Sequence, residues 1–235
     1  MTIVKICGIT NLEDALCAID AGADLLGFIF YPKSPRAVTP DVAREIVANI
    51  RERSETAGSQ RSGSRASGVR YVGVFVNESP AEMLRVLDGA GLDCAQLSGD
   101  ESPDDLAAMG GRAYKAIRGW NDAYATFAHP PISHLQSPLT HYHFPDLLLD
   151  ANHATLYGGS GRRADESLAV NLARRYRLLL AGGLTPDNVA DAIRTIRPWG
   201  VDVASGVEAS PGKKDHAKVR AFIAAAKAAL SAEAA

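Results

Sequence analysis

The sequence predicts a single α/β domain over residues 1–235, a (β/α)8 barrel with a parallel sheet. Runs rich in Val, Ile, Leu and Phe alternate with segments of helical periodicity, the pattern of stacked βαβ units. Eight such units fit into 235 residues, a length at which α/β barrels form one domain. No GxGxxG follows the first run, where an open dinucleotide-binding sheet would carry it.

The strand runs are IVKICGI (3–9), LLGFIFY (25–31), RYVGVFV (70–76), CAQLSG (94–99), RAYKAIRG (112–119), LLLDAN (147–152), RLLLAGG (177–183) and VDVASGV (201–207). After the first comes TNLEDALCAIDAGAD. Thr10 or Asn11 caps the free amides there, Glu13 and Asp14 face the positive first turn, and Gly22 ends the helix. TPDVAREIVANI and TPDNVADAI each place proline at the first helical position behind a threonine cap, at Pro40 and Pro186. SPAEMLRVLDGAG begins at Ser79 and Pro80 and ends in glycines.

Two segments break the alternation. Residues 53–68, rich in Ser, Gly and Arg without apolar period, read as a flexible surface insertion. Residues 129–145 hold four of the six histidines and form an irregular loop. His129, His134, His141 and His143 fit no i, i+4 pair and have no Cys or acidic ligand nearby, so no metal is expected.

A formal net charge of −2 gives no footprint for nucleic acid and no polybasic surface for a membrane; a small polar partner fits better. No stretch reaches the ~20 apolar residues of a membrane span, and acidic side chains within residues 1–20 argue against a signal peptide. Cys7, Cys17 and Cys94, odd in number and without CxxC spacing, argue against a disulfide framework and for a reducing, cytoplasmic location.

In a parallel barrel, catalytic groups come from the C-terminal strand ends and the loops beyond them. This selects Cys7 after strand one, Asp150 after strand six, and the glycines at 158–161, 182–183 and 206. An aspartate ending a buried strand is costly unless used. Gly182, Gly183, Ser205 and Gly206 occupy the loops after strands seven and eight, the usual phosphate position of such barrels.

KICGIT, GFIFYPKSPRAVTP, LLLDA followed by GGSG, LLLAGGLTPDNV and VDVASGVEASPGKKD stand in this order, each at a predicted strand end. Together, from Lys5 to about Phe222, they resemble the phosphoribosylanthranilate isomerase family of the tryptophan pathway. The resemblance implies an Amadori rearrangement of N-(5'-phosphoribosyl)anthranilate without metal or coenzyme. It further implies Asp150 as general acid, Cys7 as general base, Arg36 as the cation for the anthranilate carboxylate, and a mobile loop at GGSG. A thiol serves as a base only when ionised, and positive charge from Lys5 or Arg36 would favour the thiolate. Ser98 stands where the family usually has histidine, Ser160 where threonine is common, and GRRADES lacks the aromatic often found after its aspartate.

Other readings are the histidine-pathway aminoaldose isomerase, a dual-substrate isomerase, a Schiff-base aldolase using Lys115, and a barrel that binds a sugar phosphate without catalysis. Cys7 and the lack of a half-to-half repeat disfavour the first. Either a monomer or a homodimer is compatible with the sequence.

Overall fold

The computed structural model describes residues 2–58, 68–118, 144–150 and 162–230. Eight parallel strands close into a barrel in sequence order: β1 (Ile3–Cys7), β2 (Leu25–Ile29), β3 (Arg70–Phe75), β4 (Cys94–Leu97), β5 (Ala113–Ile117), β6 (Leu147–Asp150), β7 (Leu178–Ala181) and β8 (Gly200–Val203). Where the residues beyond the strand are described, as after β1, β2, β4, β7 and β8, the end of the apolar run leaves the ladder at the C-terminal mouth. Helices α1 (Leu12–Ala21), α2 (Pro40–Gly58), α3 (Pro80–Ala90), α4 (Pro103–Ala108), α5 (Arg162–Arg175), α6 (Val189–Ile196) and α7 (His216–Ala228) complete the described elements, with a 3-10 turn over Ser205–Val207 and a short antiparallel hairpin of β9 (Glu208–Ser210) and β10 (Lys213–Lys214) before α7.

Asn11, of the two candidates, caps α1: its side chain accepts from the Asp14 amide, and Gly22 closes the helix in the left-handed region. Ser79 caps α3 in the same way. The start expected at Pro186 is corrected. Asn188 Oδ1 turns back to accept from the Thr185 amide at 2.8 Å, so residues 185–188 form a turn and α6 begins at Val189. Residues 53–58, expected within the insertion, continue α2, whose Glu, Arg and Ala are good helix formers. Residues 59–67, the histidines of the 129–145 loop and GGSG at 158–161 lie outside the described residues.

Alternation along each strand separates two cores. Val4 and Ile6 of β1, Leu26 and Phe28 of β2 and their counterparts pack outward under the helices. Leu25, Val72, Cys94, Tyr114, Leu148 and Leu179 point into the lumen. At the N-terminal face three aspartates staple neighbouring strands. Asp24 accepts from the Val4 amide, Asp93 from Tyr71 and Asp146 from Arg177, each at 2.7 Å. That face serves stability and leaves the opposite mouth for chemistry.

Lys115 follows the lumen-facing Tyr114, so its side chain points outward. There it donates to Glu101 Oε2 at 2.6 Å and to the Gly99 carbonyl at 2.6 Å. Glu101 also accepts from the amides of Asn77 and Gly99, tying together the ends of β3, β4 and β5. The aldolase reading is thereby overturned, because this amine is engaged on the wrong face of the barrel. Lys115→Met, which strands the Glu101 charge, is expected to lower stability by about 3–5 kcal/mol in urea unfolding, while borohydride with a ketose phosphate traps no adduct on the unmutated chain.

Candidate active site

The last residues of β1 and β6 and the turns after β7 and β8 gather at the C-terminal mouth. A pocket of about 120 Å³ is lined by Asp150, Gly182, Gly183, Asp202, Ala204, Ser205 and Gly206 among others. Asp150, in register with Ala181 of β7, is one of the residues that line this pocket. Gly206 is required by close approach: a Cβ there would lie 1.9 Å from the Leu184 carbonyl oxygen. The turn after β8 therefore packs directly on the turn after β7, with no room for a side chain between them.

Cys7 lies on the neighbouring wall, at the end of β1 and beside β8. It is 5 % exposed and faces the lumen with Lys5, two residues earlier on the same strand. The Lys5 ammonium, fully buried, donates to Gln96 Oε1 and to Asp202 Oδ1, both at 3.0 Å. Tyr114 donates its hydroxyl to the same Gln96 oxygen at 2.9 Å, and Gln96 Nε2 donates to Ser98 Oγ at 3.1 Å. Ser98 thus belongs to a lumen network joining β1, β4, β5 and β8.

These surroundings set the thiol's acidity. Burial pushes the Cys7 thiol above its ordinary pKa; the Lys5 charge draws it back, Asp202 raises it, and Lys214 lowers it. Lys5 acts as the sequence suggested, but burial outweighs it. For Lys5 itself burial opposes the charge, yet Asp202, then Cys7 and Tyr114, together hold the ammonium's pKa well above its usual value.

Arg36 comes from the loop after β2. Its stem crosses Gly8, where a Cβ would sit 2.8 Å from Arg36 Cδ. Gly8 has φ +74°, so a side chain there would be strained as well as crowded. The guanidinium forks onto Glu208, Nε to Oε1 at 2.7 Å and Nη2 to Oε2 at 2.6 Å. Two of its donors are thus committed to a carboxylate of this chain. Glu208 also accepts from Lys214 Nζ at 3.1 Å, and the same ammonium donates to the carbonyls of Cys7 at 2.6 Å and Ala204 at 3.1 Å. Arg36, Glu208, Lys214 and the Cys7 backbone form one chain of contacts.

The structure thus unites Asp150, Gly182, Gly183, Ser205 and Gly206 around one pocket and connects Cys7 with Arg36 through Glu208 and Lys214. Glu208, Lys214, Gln96 and Asp202 were not singled out in the sequence. A charged residue inside an apolar strand run, as in VDV, was the available signal for Asp202; Glu208 and Lys214 lie beyond the barrel strands, in a short hairpin whose residues show no apolar period.

Fold and site define the class: a parallel (β/α)8 barrel enzyme with candidate acid/base groups and a glycine-walled pocket at its C-terminal mouth. The family model for N-(5'phosphoribosyl)anthranilate (PRA) isomerase matches residues 4–225, and the chain belongs to that family. It is 45 % identical over 224 residues to the N-(5'-phosphoribosyl)anthranilate isomerase of Pelobacter propionicus, covering 95 % of each chain. A crystal structure of the Thermotoga maritima phosphoribosyl anthranilate isomerase is similar with TM-score 0.73 and 40 % identity, covering 97 % of this chain and 99 % of that one. Another, an isomerase in complex with reduced 1-(o-carboxyphenylamino)-1-deoxyribulose 5-phosphate, has TM-score 0.72 and 38 % identity with the same coverage.

Burial raises the Glu208 carboxyl's pKa, but the Arg36 hydrogen bond, then Lys214, hold it below its ordinary value. A depressed carboxylate stabilises the fold above its unfolded pKa and loses that contribution as pH falls through the folded one. The native chain is therefore expected to exceed Glu208→Gln in stability at neutral pH. Urea unfolding at successive pH values should show the gap closing below the ordinary glutamate value of about 4.3.

Proposed function

We infer that the protein is an isomerase of tryptophan biosynthesis, converting N-(5'-phosphoribosyl)anthranilate to 1-(o-carboxyphenylamino)-1-deoxyribulose 5-phosphate. Asp150 protonates the furanose ring oxygen, the ring opens, and the nitrogen lone pair forms an iminium. Cys7, as thiolate, removes the proton from C2, and the enolamine tautomerises to the ketone. The substrate phosphate binds the amides around Gly182, Gly183, Ser205 and Gly206, which main chain can approach closely. Arg36, with Nε and Nη2 occupied by Glu208, offers the anthranilate carboxylate its remaining edge.

The reading is carried by the position of the two proton-transfer groups, which end inward-facing strand positions on β1 and β6 in a chain that aligns with named isomerases over nearly its whole length. Placement in the cytoplasm is supported by three free, buried cysteines. Among the described residues, no helix is long and apolar enough to cross a membrane.

Purified protein is expected to consume phosphoribosylanthranilate, followed by loss of substrate fluorescence. Cys7→Ala and Asp150→Asn should each lower kcat by about 10²–10⁴-fold with KM within severalfold. No consumption by the unmutated protein would sink the reading, and turnover of the histidine-pathway aminoaldose in the same assay would identify the dual-substrate alternative.

A further inference from the structure

A buried thiol is a weak base unless something in the lumen favours its ionised form, and among the described residues one cation is placed to do so through the sulfur. We propose that Lys5 is the positioning residue of the reaction, its ammonium held by Asp202 and Gln96 so that it faces Cys7 Sγ and stabilises the thiolate. This rests on Cys7 being the base.

The geometry begins with strand parity, which puts Lys5 and Cys7 on one face of β1. Opposite them on β2 stands Gly27, in register with Cys7. A Cβ at Gly27 would lie 2.8 Å from Cys7 Sγ and 3.2 Å from Lys5 Cε, so both side chains abut the same space. An ammonium has three N–H donors, and Lys5 directs two of them to Gln96 and Asp202.

The charged and titratable groups that act on the sulfur are Lys5 of β1, Asp202 of β8, Tyr114 of β5, Lys214 of β10 and Arg36 of the loop after β2; Asp150 of β6 stands across the mouth. Of the cations, Lys214 commits its three donors to the Cys7 carbonyl, the Ala204 carbonyl and Glu208. It therefore acts on Cys7 through the backbone. Arg36 is forked onto Glu208. Lys5 remains, and Asp202 keeps it cationic. A buried ion pair is also an expensive way to fill a lumen that Leu25, Val72 and Leu148 fill with apolar groups beside it. In the reaction the thiolate accepts the C2 proton as S–H while Lys5 keeps its own.

Iodoacetamide labelling of Cys7, read by peptide mass spectrometry against pH, tests this directly in Lys5→Met and in Lys5→Met/Asp202→Asn, which removes both buried charges. The thiol midpoint is expected to rise by about one unit or more, a tenfold or greater loss of labelling rate near pH 8. With kcat at least about tenfold down and KM within about twofold, the deficit should shrink as pH rises. An unmoved labelling profile, or a pH-independent loss of kcat, overturns the proposal. In the unmutated protein, a lysine ε-carbon NMR signal should titrate with the Cys7 labelling midpoint and stand still in Cys7→Ala; its absence overturns the proposal without relying on any Lys5 variant. Full turnover by Cys7→Ala would instead remove the base assignment, a result distinguishable from any labelling outcome.

Discussion

The seam between β1 and β8 is where the barrel closes, and it carries a buried ion pair across it. Lys5 and Asp202 are register partners on these two strands and also partners in a 3.0 Å salt bridge inside the lumen. Pairing the first strand with the last thus brings together charges 197 residues apart in sequence. Neither charge is tolerable alone there, since an uncompensated buried ion costs several kcal/mol. Closure supplies the compensation, and the site follows from it: Cys7 is the next inward residue on one side of the seam, and Ala204 and Ser205 continue the other side into the pocket.

A second clasp lies just above the first. Lys214 Nζ binds the Cys7 carbonyl at the end of β1 and the Ala204 carbonyl just past β8, and Glu208 then joins it to Arg36. The hairpin that delivers Lys214 is fixed from outside by Asp14 of α1, 2 % exposed, whose carboxylate accepts from the Lys214 amide at 2.8 Å and pairs with His216 Nε2 at 2.8 Å. The order of effects is consistent: α1 holds the hairpin, the hairpin holds the seam, and the seam sets the surroundings of the thiol. Burial raises the thiol's pKa and lowers that of Lys214, so charge at the mouth is sustained by pairing rather than by solvent.

The strands and several caps were legible because their causes are local. Val, Ile and Leu runs mark β1 to β8, Asn11 and Ser79 satisfy amides three residues on, and Gly22 supplies a left-handed turn. Pro186 misled because proline fixes its own φ but not where the first helical hydrogen bond forms; Asn188, by bonding back to Thr185, decided that. Cys7, Asp150 and the glycines were legible as strand ends, with family motifs supplying their roles. Gln96, Glu208 and Lys214 were not, since each matters through a partner that only barrel closure or the C-terminal hairpin brings near.

Lys5 and Lys115 show how little in the local sequence separates a site residue from a structural one. Both interrupt an apolar strand, both are buried, and both meet a carboxylate, Asp202 and Glu101 respectively. They differ in parity. Lys5 shares its face with Cys7 and points into the lumen, whereas Lys115 alternates with the lumen-facing Tyr114 and points towards the helices. A shift of one residue along either strand would exchange their surroundings. The inward lysine therefore acts on the chemistry at the mouth, and the outward one ties strand ends together. What assigns them is the barrel's two-residue period, counted from a neighbour whose direction is known.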